Sequence, residues 1–314
     1  MQSPSNQRFL SSYALRWNSS VKAFEMVQFD QLAFPASNLG AMHGATLVER
    51  VRTFGRKIPD IKLHKDRLHA GLKALGIQGS SFMMQIDSAL EQLIASSATL
   101  LNQESDASLC IVVTPGDYYS GTQLQGFIHW LPIPWNKLAS WYQSGTTLVR
   151  VQYASGAGEC WPANIKTRSR LNYFLADQDA QKRFDGSLAL LCTSRGMVAD
   201  TSVANVLLVD QQSNIWSPRS QDILDGTSLK TTQELLVSLG KEIQFRDILF
   251  EEISEASEVL LVGNTGCLWH ASHFQRRVIG LGTPGPICLS LQKLWCQSIG
   301  FDWKSQAILK SKSQ

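Results

Sequence analysis

A lysine with two arginines close by is the residue of this sequence best suited to covalent chemistry. Lys166 is followed by Arg168 and Arg170, and the pattern predicts a helix from about Thr167 to Phe184 with Lys166 at its start. Neighbouring positive charge and partial burial both disfavour an ammonium group, so such a lysine can be neutral enough to form a Schiff base with a carbonyl carbon. Taken alone, a lysine in a helical first turn is more commonly a solvated surface group.

Other site types find little support in the sequence. Cys267, His270 and His273 are the only close grouping of metal-ligand types, no carboxylate stands beside them, and no HExxH motif is present. We therefore expect no metal site. The glycines of Gly282–Pro286 alternate with prolines, which is typical of a tight turn, and no phosphate loop of the Walker or dinucleotide type is found.

The composition narrows the classes of partner. Lys and Arg number 29 against 26 Asp and Glu, a net charge of +3, and no stretch carries five like charges. This balance argues against a nucleic-acid partner. No run of about 18 apolar residues is present, and the first residues lack the apolar region of a secretory signal, so we expect no membrane partner. Hydrophobic residues at 44% and charged residues at 18% are typical of a folded globular chain.

The six cysteines show no CxxC spacing and have mostly apolar neighbours. This pattern is typical of reduced cysteines that are buried as small apolar side chains in a reducing compartment. We therefore expect a cytoplasmic protein.

Strand and helix patterns follow one another along the chain and predict an α+β fold. Residues 1–25 lack a clear period and are interpreted as a loosely attached arm. Gly76 and Gly240 are predicted to end helices. Strands are predicted at 45–54 and 58–63 as a hairpin, at 110–114, 126–131, 147–153 and 187–193, at 205–216 as a second hairpin, and at 258–262; a further helix is predicted at 81–101.

Two prolines divide this pattern into two domains. Pro132 and Pro134 break both helix and sheet between two predicted elements. We expect a small N-terminal α/β domain at residues 1–131, a linker at 132–137 and a larger C-terminal domain at 138–314.

Six short segments resemble, in the same order, motifs of one enzyme family. They are Gly44–Arg52, the HxxRL segment His64–Leu68, Lys166, Gly196–Asn205, the turn Ile223–Ser228 and the loop Val262–Gly266. In these segments the chain is similar to the class IV, fold-type IV family of pyridoxal-phosphate enzymes. This family includes the branched-chain aminotransferases, the D-amino-acid aminotransferases and the 4-amino-4-deoxychorismate lyases.

The resemblance implies a two-domain fold of the D-amino-acid aminotransferase type, with pyridoxal 5′-phosphate between the small and the large domain. Lys166 is then the catalytic residue that forms the Schiff base, and Asp200 stands where the family has a glutamate that pairs with the pyridine nitrogen. Leu224 would pack on the ring face. The residues expected around the cofactor phosphate are Arg67, Gly226, Thr227, Ser228, Asn264 and Thr265.

Physical chemistry supports the phosphate assignment. A helix N-terminus after Gly226 offers N–H groups and a favourable dipole to a dianion, and Thr227 and Ser228 add hydroxyl donors. Arg67 would add a forked positive charge. Taken on their own, the same residues are more commonly an ordinary helix cap and turn.

Among the family's reactions, the sequence favours the lyase, which releases pyruvate and the folate precursor 4-aminobenzoate. The segment from Lys166 to Leu171 and Asn264 resemble the lyases, and no arginine occurs between Arg67 and Arg150 to bind an amino-acid carboxylate. The alternatives are a branched-chain or D-amino-acid aminotransferase, or a non-catalytic homologue that binds the cofactor.

The resemblance also implies a small-molecule substrate and a homodimer. Four tryptophans near the linker belong either to the core or to a subunit interface. They are Trp130, Trp135, Trp141 and Trp161.

Overall fold

The computed structural model describes residues 4–119 and 123–312 of the chain. The described residues divide into two compact units. The first comprises residues up to Ile133 together with Ile165–Ser169, and the second comprises Pro134–Asn164 and the residues from Arg170 onward. No helix in these residues is long and apolar enough to cross a membrane.

The first unit is built on an antiparallel five-stranded sheet in the order β2-β1-β5-β4-β3. Helices pack on this sheet, and the side chains of Leu47, Val51, Leu68 and Leu72 are buried between β3 and α3. Its elements are α1 (Pro4–Leu10), β1 (Tyr13–Asn18), β2 (Ala23–Gln28), α2 (Leu39–His43), β3 (Leu47–Arg52), α3 (Ile61–Ala74), α4 (Ser80–Ser96), α5 (Ala98–Glu104), β4 (Ser108–Thr114) and β5 (Gln125–Leu131).

The second unit is built on a mixed nine-stranded sheet in the order β11-β10-β9-β12-β13-β6-β7-β8, with β14 paired to β13. Helix α7 packs on β6 and β7 through an apolar cluster that includes Val149, Ala176 and Leu191. Its elements are α6 (Trp135–Ser144), β6 (Thr146–Ala154), α7 (Leu171–Arg183), β7 (Leu188–Cys192), β8 (Val198–Thr201), β9 (Asn205–Val209), β10 (Ile215–Ser217), α8 (Thr227–Ser238), β11 (Ile243–Phe245), α9 (Phe250–Glu255), β12 (Glu258–Gly263), β13 (Cys267–Phe274), β14 (Arg277–Val278), α10 (Pro286–Ile299) and α11 (Trp303–Ser311).

The expected α+β class is confirmed, and so are many of the elements. Strands β4, β5, β6, β7 and β12 and the hairpin of β9 and β10 lie where their patterns predict them. Gly76 and Gly240 follow the ends of α3 and α8 with φ of 66° and 68°. A left-handed glycine after the last helical turn satisfies carbonyl groups that have no partner inside the helix.

The interpretation of residues 1–25 as a loose arm is wrong for residues 4–25, and residues 1–3 lie outside the described part of the chain. Strand β1 lies between β2 and β5, and the side chains of Ala14 and Leu15 are fully buried. The run of buried residues is too short to show a period in the sequence, and its partner strand β5 is distant in the chain.

The predicted hairpin of residues 45–63 is also wrong in its second half. Phe54 and Lys57 close the expected turn, but α3 begins at Ile61 and β3 pairs with β4 instead. The predicted helix at 81–101 is two helices, α4 and α5, that meet at Ser97. The hydroxyl of Ser97 accepts a hydrogen bond of 2.8 Å from the indole of Trp130, so a packing contact fixes this break.

Three of the four tryptophans near the linker belong to the core of the chain itself. Trp130, Trp135 and Trp141 are buried, and Trp141 stacks on Trp269 with ring centroids 4.4 Å apart. The interface interpretation is therefore wrong for these three. Among the cysteines, Cys110, Cys267 and Cys288 are buried as expected, whereas Cys160 is exposed.

Candidate cofactor-binding site

Lys166 lies in an extended segment beside the start of β3. The N–H of Val48 donates to the carbonyl oxygen of Lys166 at 2.9 Å, and the N–H of Arg168 donates to that of Thr46 at 3.1 Å. Thr167 forms an antiparallel bridge with Leu47. The predicted helix start at Thr167 is therefore wrong, because these residues pair with β3 and α7 begins only at Leu171.

A glycine turn anchors this segment. The hydroxyl of Ser169 donates to the carbonyl oxygen of Gly44 at 2.8 Å. Gly44 has a φ of 66°, and a Cβ atom there would lie 2.4 Å from Oγ of Ser169. Only glycine fits both the left-handed backbone and this close approach. The backbone around Lys166 is thus fixed by contacts within the first unit.

Arg67 of α3 is held in a buried ion pair with Glu49 of β3, where these two elements pack together. Its Nε and Nη2 atoms lie 2.8 and 2.7 Å from the carboxylate of Glu49, and Nδ1 of His64 lies 2.7 Å from the same carboxylate. Burial alone would raise the pKa of Glu49, but the charge of Arg67 and the hydrogen bonds from Arg67 and His64 outweigh it and lower the pKa to about 2. Glu49 therefore stays ionised and fixes Arg67. The expected contact of Arg67 with a phosphate stays a prediction.

Asp200 is the buried carboxylate of the second unit. It lies on β8, is 4% exposed, and accepts hydrogen bonds from the hydroxyl of Ser155 at 3.1 Å and the N–H of Leu224 at 3.3 Å. Both donors are uncharged. Burial and the negative charge of Asp200 together raise the pKa of Tyr173 to about 12. The guanidinium of Arg170, 4.5 Å from the centre of the Tyr173 ring, opposes this rise.

Asn205 connects the surroundings of Asp200 to the start of α8. Its side-chain amide donates to the carbonyl oxygen of Leu224 at 2.9 Å. A Cβ atom on Gly226 would lie only 2.0 Å from Oδ1 of Asn205, so a larger residue at this position would displace the Asn205 side chain. Asp200, Leu224 and Gly226 are therefore brought together around Asn205.

The first turn of α8 has the chemistry of an anion site. Gly226 is extended and precedes a helix of 12 residues, and the residues Thr227 and Ser228 are buried at 4% and 5% exposure. The first N–H groups of a helix have no partner within it and carry partial positive charge. A phosphate dianion fits these donors and the two hydroxyl groups.

Asn264 and Thr265 lie in the turn between β12 and β13, as the sequence predicts. Val262 pairs with Asn205, so the end of β12 lies beside the start of β9. A Cβ atom on Gly263 would lie 2.5 Å from the carbonyl oxygen of Val203, which keeps this turn close to the loop after β8. The second unit thus groups seven predicted residues: Asp200, Leu224, Gly226, Thr227, Ser228, Asn264 and Thr265.

Sequence reasoning missed Ser155 and gave Asn205 no role. Asn205 had a signal, since it ends the segment Gly196–Asn205 that resembles a family motif. Ser155 had none, because its contact with Asp200 spans 45 residues of sequence.

The donor set fits pyridoxal phosphate better than a metal ion. A buried carboxylate suits a protonated ring nitrogen, and the N-terminus of α8 suits a phosphate group. No group of three His, Cys, Asp or Glu side chains within residues 4–119 and 123–312 is arranged to hold a metal ion. His270 is buried, which lowers its pKa to about 4.

Comparison with known proteins agrees with this chemistry. Residues 46–274 match the family described as Amino-transferase class IV. The chain belongs to the class IV aminotransferase family. This membership confirms the predicted family and fold type, and pyridoxal phosphate is the cofactor of this class IV aminotransferase chain.

Individual relatives of this class IV chain are distant. Branched-chain-amino-acid aminotransferase-like protein 1 of Arabidopsis thaliana is 23% identical over 258 residues, which is 80% of this chain and 45% of that protein. The chain thus spans less than half of that relative. D-alanine aminotransferase of Bacillus licheniformis is 22% identical over 281 residues, 87% of this chain and 94% of that protein.

Solved structures share the fold. A hypothetical aminotransferase from Mycobacterium tuberculosis, solved in its PLP-bound form, has a TM-score of 0.76 at 14% identity and covers 92% of this chain and 99% of its own. At this identity the likeness concerns the fold alone.

Proposed function

We propose that the protein is a pyridoxal-phosphate-dependent 4-amino-4-deoxychorismate lyase that releases pyruvate and 4-aminobenzoate. The observation that carries the choice is the face of β4 and β5 that bears Cys110, Val112 and Phe127. Neither strand contains an arginine of its own, so β4 and β5 do not themselves supply a carboxylate-binding group of the kind that an amino-acid aminotransferase needs. The resemblance of the segment Lys166–Leu171 and of Asn264 to the lyases supports the same choice.

The cofactor, when bound, supplies an electron sink for the negative charge that forms at the amine-bearing carbon. Asp200 supports that chemistry, since its ionised carboxylate favours a protonated ring nitrogen. Ser155 and the N–H of Leu224 hold the carboxylate in place through hydrogen bonds of 3.1 and 3.3 Å. The aspartate side chain is one methylene shorter than the glutamate of the family. The two hydrogen bonds therefore determine the position of the Asp200 carboxylate.

Lys166 has two roles in the proposal. It would hold the cofactor covalently, and its amine, when free, would act as a general base toward the substrate. The amine takes the proton from C4 of the substrate, the bond from C3 to the enolpyruvyl oxygen breaks, and the proton is delivered to the leaving enolpyruvate. The ring becomes aromatic, and no second substrate is needed because the atoms of the two products equal those of the substrate.

The phosphate-binding residues are proposed as Gly226, Thr227, Ser228, Thr265 and Arg67, with Asn264 closing the loop. The N–H groups and hydroxyls at the start of α8 provide hydrogen-bond donors. Arg67 is available as a fixed charge because Glu49 holds its guanidinium in one orientation.

An aminotransferase is the second candidate, because the relatives bear the names of branched-chain and D-alanine aminotransferases. Transamination would use the same residues up to proton removal and would then release a 2-oxo acid.

Measurement of both products separates the candidates. We expect equimolar pyruvate and 4-aminobenzoate from 4-amino-4-deoxychorismate alone. Pyruvate is measured by coupling to lactate dehydrogenase, and 4-aminobenzoate is measured by its fluorescence. Borohydride reduction should label Lys166 and no other lysine. Amino transfer from branched-chain or D-amino acids without 4-aminobenzoate would replace the lyase by the aminotransferase. A label on another lysine would refute the role of Lys166.

The quaternary and domain organisation is proposed from the family resemblance. We propose a cytoplasmic homodimer, with residues 132–137 as the linker between the small and the large domain. Light scattering of the cofactor-loaded protein should give twice the chain mass, and a monomer mass would refute the dimer.

A further inference from the structure

One face of the sheet in the first unit carries a row of polar groups next to Lys166. In the strand register, Arg50 of β3 lies opposite Cys110 of β4, and Cys110 lies opposite His129 of β5. Directly opposite residues of antiparallel strands point to the same face. Arg168, two residues after Lys166, reaches this row, and its Nη2 donates to Sγ of Cys110 at 2.8 Å.

Two guanidinium groups meet in this row without a negative charge. Among the described residues neither Arg50 nor Arg168 forms an ion pair with a carboxylate. Within residues 4–119 and 123–312, Nη2 of Arg50 donates only to the carbonyl oxygen of Pro132, at 3.3 Å, and its buried Nε has no hydrogen-bond partner. Burial lowers the pKa of Arg50, and the charge of Arg168 lowers it further.

The neighbouring titratable groups do not supply the missing charge. Burial raises the pKa of the Cys110 thiol, although Arg168 opposes this, so the thiol stays neutral. Burial also lowers the pKa of His129, and so do Arg168 and Arg50. Buried charges are normally paired, since an unpaired one costs several kcal/mol, and of the two guanidinium groups that of Arg50 is the buried one. The row is therefore suited to an anion from outside the chain.

An apolar surface adjoins the two arginines. Phe34 and Phe127 pack against the cluster of Val48, Cys110 and Val112. A ligand with an apolar ring and charged groups matches this combination of surfaces.

We infer that Arg50 and Arg168 together bind the two carboxylates of a ring dicarboxylate substrate. The identity of this ligand as the substrate rests on the proposed function, since 4-amino-4-deoxychorismate carries one carboxylate on its ring and a second on the enolpyruvyl ether attached to that ring. A guanidinium fork binds a carboxylate through two parallel hydrogen bonds, so two forks match a dianion. An aliphatic amino acid offers one carboxylate and leaves the second guanidinium unpaired.

Binding of three unreactive probes to the cofactor-loaded protein tests this inference. Isophthalate is a ring dicarboxylate, benzoate is the monocarboxylate, and benzamide is the neutral counterpart. By calorimetry we expect isophthalate to bind at least about tenfold more tightly than benzoate, and benzamide not to bind. Arg50→Met and Arg168→Met should each weaken isophthalate binding at least about tenfold and leave the cofactor absorbance unchanged.

The exposed turn residue Arg56 supplies the control. Its guanidinium donates a hydrogen bond to the side chain of Asn102, which is not part of this row. Arg56→Met should bind isophthalate as the wild type does. Because Arg168 is exposed, Arg168→Met keeps the test decisive even where Arg50→Met does not fold. Equal binding of isophthalate by both variants and the wild type, or equal binding of isophthalate and benzamide by the wild type, overturns the inference.

The proposed lyase activity fails separately from this site. If the wild-type protein yields no 4-aminobenzoate, but both variants lose the isophthalate binding that the wild type shows, the lyase is refuted and the dicarboxylate site is supported. Protein that yields 4-aminobenzoate with unchanged KM in both variants refutes the site and supports the lyase.

Discussion

The buried carboxylate of Glu49 should control the acid stability of the first unit. Its side chain is 1% exposed, and it accepts both hydrogen bonds of the Arg67 fork and one contact from His64. Glu49→Gln removes the charge and keeps the shape. Arg67, whose side chain is 4% exposed, then lies buried with a neutral partner.

Two routes give the size of the effect. The pKa of Glu49 falls from 4.5 to about 2 on folding, which corresponds to roughly 3 kcal/mol at 1.36 kcal/mol for each pKa unit. Removal of one partner from a buried ion pair costs about 3–5 kcal/mol. Because the pKa is lower in the folded chain, this stabilisation is complete above about pH 4.5 and disappears as the pH falls to about 2.

Urea denaturation of the cofactor-free protein, followed by circular dichroism and tryptophan fluorescence, measures this effect. At about pH 7 the first unit of Glu49→Gln should unfold at a clearly lower urea concentration than the wild type, and the two should converge near about pH 2. Asp66→Asn is the control, because Asp66 forms an exposed pair with Lys62 on α3 and should not change the midpoint. Equal midpoints for Glu49→Gln and the wild type at about pH 7 would refute the reasoning.

Two further predictions concern the second unit. Gly226→Ala should weaken cofactor binding at least about tenfold, since its Cβ would lie 2.0 Å from Oδ1 of Asn205 and displace the start of α8. Gly240→Ala, which meets no atom within 4 Å, should destabilise the fold but retain cofactor; equal retention in both variants contradicts the first prediction. Asp200→Asn should lower turnover at least about a hundredfold while the cofactor absorbance remains, and a near wild-type rate would show that its charge is not used.

Local patterns predicted much of the second unit. Strand β12 is rich in buried valine and leucine, β7 in buried leucine and alanine, and β6 places exposed polar residues between buried apolar ones. A glycine follows the end of α8, so each of these elements carries its signal within a few residues. The candidate site residues of this unit lie in recognisable segments: Asp200 is on strand β8, and Gly226 directly precedes α8.

Pairing over long distances was not predictable in the same way. The partner of β3 is β4, and nothing in the residues after Phe54 distinguishes a returning strand from the start of α3. The extended backbone at Lys166 depends on β3, and the hydroxyl of Ser155 reaches Asp200 from another strand. These arrangements arise from tertiary contacts that override local propensity.

The discontinuous make-up of the first unit has a consequence for its folding during synthesis. Strand β3 is at the edge of its sheet, and its start is covered by Ile165–Ser169. This covering segment comes late in the chain, since Thr167 contacts Gly44 across a sequence separation of 123 residues. A nascent chain that ends at Ile133 contains all five strands, but its Val48 N–H group has no Lys166 carbonyl to bind. Such an uncovered edge is a template for pairing with other chains. We therefore expect ribosome-bound intermediates of this length to aggregate or recruit chaperones, and chains extended past Ser169 to escape both.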